Sequence, residues 1–144
     1  MSPELVKRYS APVPRYTSYP TAAHFSSDVG PETYAAWLAE LPAAARLSLY
    51  VHIPFCESLC WYCGCCTKAA RRYEPVADYL GSLYTEIRAI GRQISVDHRV
   101  TSIHWGGGTP NILSATDIAA LADAQRHEFS LDKGAEFAVE IDPR

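Results

Sequence analysis

The chain has 144 residues, 48% hydrophobic and 20% charged, with a formal net charge of -3, the balance of one folded domain with one core rather than a disordered chain. So small a negative charge provides no global field to gather nucleic acid or an anionic membrane surface. No apolar run approaches the roughly 20 residues of a membrane-spanning helix, and the segment from Met1 lacks the apolar core of a secretory signal, so the cytoplasm is the expected location.

Residues 1–30 are rich in Pro, Ser, Thr and Tyr and show neither a helical nor a strand period, which predicts an extended arm. Pro31 then suits a first helical turn. Tyr34, Trp37, Leu38 and Leu41 follow at helical spacing until Pro42 ends a short amphipathic helix. Leu47 to Ile53 alternates and is rich in strand formers, stopping at Pro54 just before the cysteines. Val76, Leu80, Leu83, Ile87, Ile90 and Ile94 recur every three or four residues and predict a long helix from Glu74 to Val96.

A second strand, Thr101 to Trp105, runs into Gly106, Gly107, Gly108, Thr109 and Pro110. Ser114 with Asp117 three residues on predicts the cap of a helix reaching His127. Glu136 to Ile141 is the third strand. Strands alternating with helices imply an α/β protein with a parallel sheet, divided into an arm and helix over 1–46 and a core over 47–144. All-parallel sheets occur almost only with both faces covered, so three strands are few, and further strands of a larger protein are expected to complete the sheet.

All five cysteines fall between Cys56 and Cys66, too close together to staple distant parts of a fold, and their number is odd. A metal or redox site is favoured over a disulfide framework. Cys56, Cys60 and Cys63 have the spacing CxxxCxxC, which brings three thiolates to one side of a loop. A four-iron cluster normally takes four cysteines, so three leave one iron open to a small molecule. A zinc site made from four of the five cysteines is the competing reading, with buried unliganded thiols as the second. The glycines after the second strand let a ligand approach backbone groups, although an ordinary glycine turn looks the same.

The three-cysteine loop after the first strand of a parallel sheet resembles the radical S-adenosylmethionine enzymes. That resemblance implies the first half of a partial parallel (β/α) barrel. It implies a [4Fe-4S] cluster on Cys56, Cys60 and Cys63, whose open iron chelates S-adenosylmethionine, and reductive cleavage to a hydrogen-abstracting 5'-deoxyadenosyl radical. Gly107, Gly108 and Thr109 fall on the family motif that meets the methionine amino group, with Thr109 where many members carry Glu. Tyr62 falls on the aromatic position near adenine, and Glu140 and Tyr50 on positions near the polar methionine end.

Within that superfamily, Pro14 to Ala22, Leu49 to Cys56, Cys63-Gly64-Cys65, His104 to Pro110 and Glu140 to Arg144 resemble the oxygen-independent coproporphyrinogen III oxidases. The resemblance implies oxidative decarboxylation of two propionates of coproporphyrinogen III to vinyl groups, giving protoporphyrinogen IX, with an unidentified electron donor and acceptor, in a monomer. A propionate β-carbon is unactivated, so a positioned base cannot take its proton at neutral pH, whereas a carbon radical takes the hydrogen atom. Arg15 is the expected contact for substrate carboxylates, ahead of Lys68, Arg71 and Arg72, and Cys65 lies near cofactor or substrate. Cys66 stands where relatives usually carry Asn. The alternatives are a haem chaperone of the same superfamily, which lacks the arm and the Gly-Cys step, and a non-catalytic zinc-binding module.

Overall fold

Alternation along Arg46–Ile53 (β1) sends Leu47, Leu49, Val51 and Ile53 to one side of a strand and Ser48, Tyr50 and His52 to the other, and the burial follows that period of two. The computed structural model describes residues 2–10, 21 and 24–143. β1 pairs in parallel with Arg99–Gly107 (β4), which pairs in parallel with Leu131–Val139 (β5), giving the sheet order β1-β4-β5. Glu74–Gly91 (α3) follows β1 through the cysteine region, and Ala115–Glu128 (α4) connects β4 to β5. The predicted α/β parallel sheet is therefore the observed one.

The core lies between the two long helices and one face of the sheet. Val76, Leu80, Leu83 and Ile87 from α3 and Leu121 from α4 meet Val51, Ile53, Val100, Ile103 and Trp105. Burying each such side chain stabilises the fold by about 1.5–3 kcal/mol. Inside this layer the Trp105 indole N–H donates to Gln125 Oε1 at 3.0 Å, so the one polar side chain α4 sends inward is satisfied there. The opposite sheet face is polar. It carries Ser48, Tyr50 and His52 from β1, Ser102 and His104 from β4, and Glu136 from β5.

Several boundaries differ from the sequence-based expectation. Pro3–Tyr9 (α1) is helical rather than extended: Ser2 caps it by accepting from the Leu5 N–H, Pro3 occupies its first turn, and Lys7 and Arg8 lie in its last. The next helix, Pro31–Ala39 (α2), begins at Pro31 as predicted and stops before Leu41. α3 ends at Gly91, not Val96. The Arg92 N–H bonds the Arg88 and Ile90 carbonyls, tightening the last turn, and Ile94 still packs on the core after the backbone has left the helix.

β5 begins five residues earlier than Glu136, because Val100 pairs with Leu131 whereas Ser102 pairs with Glu136, so the poor strand formers Asp132, Lys133 and Gly134 sit in an irregular register. Residues 1–34 and 35–144 form separate compact units. Residues 11–20, with Arg15, lie outside the described residues. No helix among the described residues is long and apolar enough to cross a membrane.

Candidate functional site

Ligands of parallel α/β sheets bind outside the carboxyl ends of the strands, and at that end of β1 the chain makes a closed loop. Phe55–Cys56 (β2) pairs in parallel with Lys68–Ala69 (β3), so the residues flanking the cysteine loop are hydrogen-bonded side by side. The Lys68 N–H donates to the Pro54 carbonyl at 2.8 Å, and the Ala70 N–H to the Cys56 carbonyl at 2.9 Å. Phe55 is buried in the core and holds the loop's base to the sheet. The Cys63 N–H donates to the Cys60 carbonyl at 3.0 Å, which turns the chain back between the second and third cysteines.

None of the five cysteines is in a disulfide; Cys56 is buried, Cys60 half-buried, and Cys63, Cys65 and Cys66 exposed. The Thr109 hydroxyl donates to Cys56 Sγ at 3.2 Å, and Cys63 Sγ lies 3.4 Å from Thr67 Oγ1. Hydrogen bonds from Thr67 and then Cys65 hold the Cys63 thiol below its ordinary range, which favours the thiolate that binds iron. Cys65 is pushed up, by burial first and then by the charges of Cys63, Glu140 and Cys56, so these groups share one electrostatic neighbourhood. Among the described residues, no three His, Cys, Asp or Glu side chains are gathered closely enough to hold a metal ion. The donor set nonetheless suits an iron-sulfur cluster: soft thiols outside any disulfide, on one loop whose ends are pinned and whose middle is exposed.

The glycine segment is packed against this loop. The Gly108 N–H donates to the Ile53 carbonyl and the Thr109 N–H to the Phe55 carbonyl, both at 2.8 Å. A Cβ on Gly108 would lie 2.5 Å from the Phe55 carbonyl oxygen, and one on Gly107, whose φ is +113°, would lie 2.6 Å from the His52 ring. Glycine is required at both places for these approaches. The Gly107 N–H donates to Glu140 Oε2 at 3.0 Å, and Glu140 Oε1 lies 3.3 Å from His104 Nε2.

Tyr50 stacks on His104 with ring centroids 5.7 Å apart, and burial followed by the Glu140 charge raises its phenol above the ordinary range. The Tyr50 hydroxyl donates to His52 Nδ1 at 3.1 Å, leaving Nε2–H to donate to the Cys66 carbonyl at 2.9 Å. That pair of bonds fixes the orientation of the ring and ties the far end of the cysteine loop to β1. The Tyr79 hydroxyl, from α3, donates to the His52 carbonyl.

The expected site residues Tyr50, Cys56, Cys65, Gly107, Gly108, Thr109 and Glu140 thus converge at one end of the sheet. Tyr62 is 83% exposed on the cysteine loop, and Lys68, Arg71 and Arg72 are exposed beyond it. Sequence reasoning passed over His52 and His104, although both lie two residues from a polar neighbour on the same strand face, a period-two signal sufficient to find them. It also passed over Thr67, which no local pattern marks.

No protein-family model matches the chain. It is 52% identical over 136 residues to an oxygen-independent coproporphyrinogen III oxidase of Bradyrhizobium diazoefficiens, covering 92% of this chain and 29% of that protein. To the enzyme of the same name from Paracoccus denitrificans it is 45% identical over 135 residues, covering 94% of this chain and 30% of the relative. The solved coproporphyrinogen III oxidase of Escherichia coli, described as a radical SAM enzyme, superposes with a TM-score of 0.81 at 38% identity, covering 98% of this chain and 31% of that one. The chain spans about three tenths of the length of the curated relatives it matches.

Proposed function

We propose that this chain, similar over nearly its whole length to the oxygen-independent coproporphyrinogen III oxidases and sharing the fold of a radical SAM member, forms the cluster- and cofactor-holding part of such an oxidase. The observation that carries the reading is the meeting of the pinned cysteine loop, the glycine turn and Glu140 at the carboxyl end of one parallel sheet. Cys56, Cys60 and Cys63 would hold a [4Fe-4S] cluster, and Tyr50, Tyr62, Gly107, Gly108, Thr109 and Glu140 would surround S-adenosylmethionine. When bound, these groups together supply one-electron chemistry that removes a hydrogen atom from an unactivated carbon.

The chain's own residues do the placing. The hydroxyl of Thr109 orients Cys56, and Thr67 favours the thiolate of Cys63. Glu140, already accepting from a backbone N–H, presents a carboxylate to the ammonium of the cofactor's methionine end. Gly107 and Gly108 let the end of the second long strand close onto the His52 ring and the Phe55 carbonyl, where any Cβ would collide, and so bring the glycine turn to the cysteine loop. The substrate is coproporphyrinogen III, whose four carboxylates require local cations in a chain of net charge -3; Arg15 is the proposed contact. The setting is a cytoplasmic monomer served by a one-electron donor and acceptor.

The experiment is anaerobic turnover by the full-length protein with S-adenosylmethionine and a low-potential reductant, following protoporphyrin fluorescence after oxidation of the product. Accumulation of a vinyl product supports the reading. Stoichiometric haem binding without turnover would assign a carrier instead, and zinc without sulfide would assign a metal-binding module.

A further inference from the structure

We propose that Asn111 is a positioning residue for Glu140, acting as a substitute strand neighbour that extends the β4–β5 ladder past its last backbone pair; its functional half rests on the cofactor-site reading above. β4 turns away at Gly107 into the 3-10 turn Pro110–Ile112, and the last ladder bond beyond Val139 runs from the Glu140 N–H to the Trp105 carbonyl at 2.9 Å. Among the described residues, no further backbone bond joins β4 to the segment that follows β5. Two residues on, the Asp142 N–H donates to Asn111 Oδ1 at 2.9 Å, while Asn111 Nδ2–H donates to the Asp142 carbonyl at 3.2 Å.

Both backbone groups of one residue are thus met by one side chain, as a neighbouring strand would meet them. A carboxamide has the donor and acceptor of a peptide group; a carboxylate lacks the donor, and a hydroxyl is a single atom. The turn that carries Asn111 is itself anchored, with Pro110 buried and the Ile112 N–H bonded to the Thr109 carbonyl at 2.9 Å. Glu140 is therefore held on both sides, at its own N–H and at Asp142. That matters because its side chain is 53% exposed and its carboxylate meets the Gly107 N–H and His104 together, in the space that a Cβ on Gly106 would take.

The test uses the full-length protein labelled with 15N-glycine, reading amide hydrogen exchange at Gly107 and Gly108 one by one, together with equilibrium binding of S-adenosylmethionine to the cluster-loaded protein. Asn111→Ala is expected to speed exchange at Gly107 about three- to tenfold, the range one net hydrogen bond commands. Exchange at Gly108, whose N–H is held by Ile53, stays unchanged. Asn111→Asp, which keeps the acceptor and loses the donor, falls between Ala and wild type. Binding of S-adenosylmethionine weakens by a similar factor at unchanged iron content, and Asn111→Ala adds nothing in a Glu140→Ala background. Equal acceleration at Gly107 and Gly108, or none at either, overturns the positioning role. Faster Gly107 exchange with unchanged affinity overturns its functional half. A wild-type protein that takes up a cluster but no S-adenosylmethionine overturns the cofactor-site reading instead, while the exchange data still decide the positioning.

Discussion

Replacing Gly107 by alanine tests how tightly the end of the sheet is packed against the cysteine loop. Its φ of +113° lies where non-glycine residues are strained, at about 1–3 kcal/mol. The added Cβ would lie 2.6 Å from Cε1 and Nδ1 of His52, against the roughly 3.5–4.0 Å of ordinary carbon contact, so the ring must retreat by about 1 Å. That ring is held at both nitrogens, by the Tyr50 hydroxyl and the Cys66 carbonyl. Retreat stretches at least one of those bonds, each worth about 0.5–1.5 kcal/mol net. Gly107→Ala should therefore destabilise by about 2–4 kcal/mol, a shift of about 1–2 M in a urea midpoint. Gly134→Ala, at an open position, should stay within about 0.5 kcal/mol. Because His52→Ala removes the obstacle, the double variant should be more stable than the sum of the two single losses predicts. A Gly107→Ala midpoint at the wild-type value, or strict additivity with His52→Ala, would refute the packing argument.

Two further predictions concern the core and the helix caps. Gln125→Leu strands the buried Trp105 N–H and should cost about 1–3 kcal/mol, read as a lower denaturation midpoint at unchanged slope. Asp117 accepts from Ser114 Oγ at 2.6 Å and from the Tyr73 hydroxyl, and these bonds hold its carboxyl below the usual range. A lowered folded-state value gives stability that is present above the unfolded value of about 3.9 and lost as pH falls through the folded one. The stability gap between wild type and Asp117→Asn should accordingly be small at neutral pH, because the half-buried group is still screened by solvent, and close further in acid; a gap that widens on acidification would contradict this.

Much of this architecture was legible because its signals are local. Period two in Leu47 to Ile53 and a three-to-four spacing from Val76 to Ile87 each fix a buried face, and both faces meet in the core. The Ser114 cap was readable too, but the bond completing it was not: the Ser114 N–H donates to the Tyr73 hydroxyl, 41 residues earlier in the chain. Ser2-Pro3-Glu4 carried the start signal of α1, outweighed by the Pro-rich stretch behind it. At the site, cysteine spacing and the glycine run pointed to the chemistry proposed above. The bonds from Thr109 to Cys56 and from His52 to the Cys66 carbonyl span 53 and 14 residues, and only the folded sheet brings them together. For the same reason Asn111 looked like an unremarked turn residue until Asp142 lay beside it.

The central claim is that Cys56, Cys60 and Cys63 hold a cluster with one iron open to S-adenosylmethionine. Its most direct test is iron and acid-labile sulfide after anaerobic reconstitution of the full-length protein, with electron paramagnetic resonance of the reduced form before and after S-adenosylmethionine. The account predicts about four iron and four sulfide per chain, a spectrum that shifts on adding the cofactor, and loss of both on changing any of the three cysteines to serine but not Cys66. Zinc without sulfide, or a cluster whose spectrum ignores S-adenosylmethionine, would contradict it.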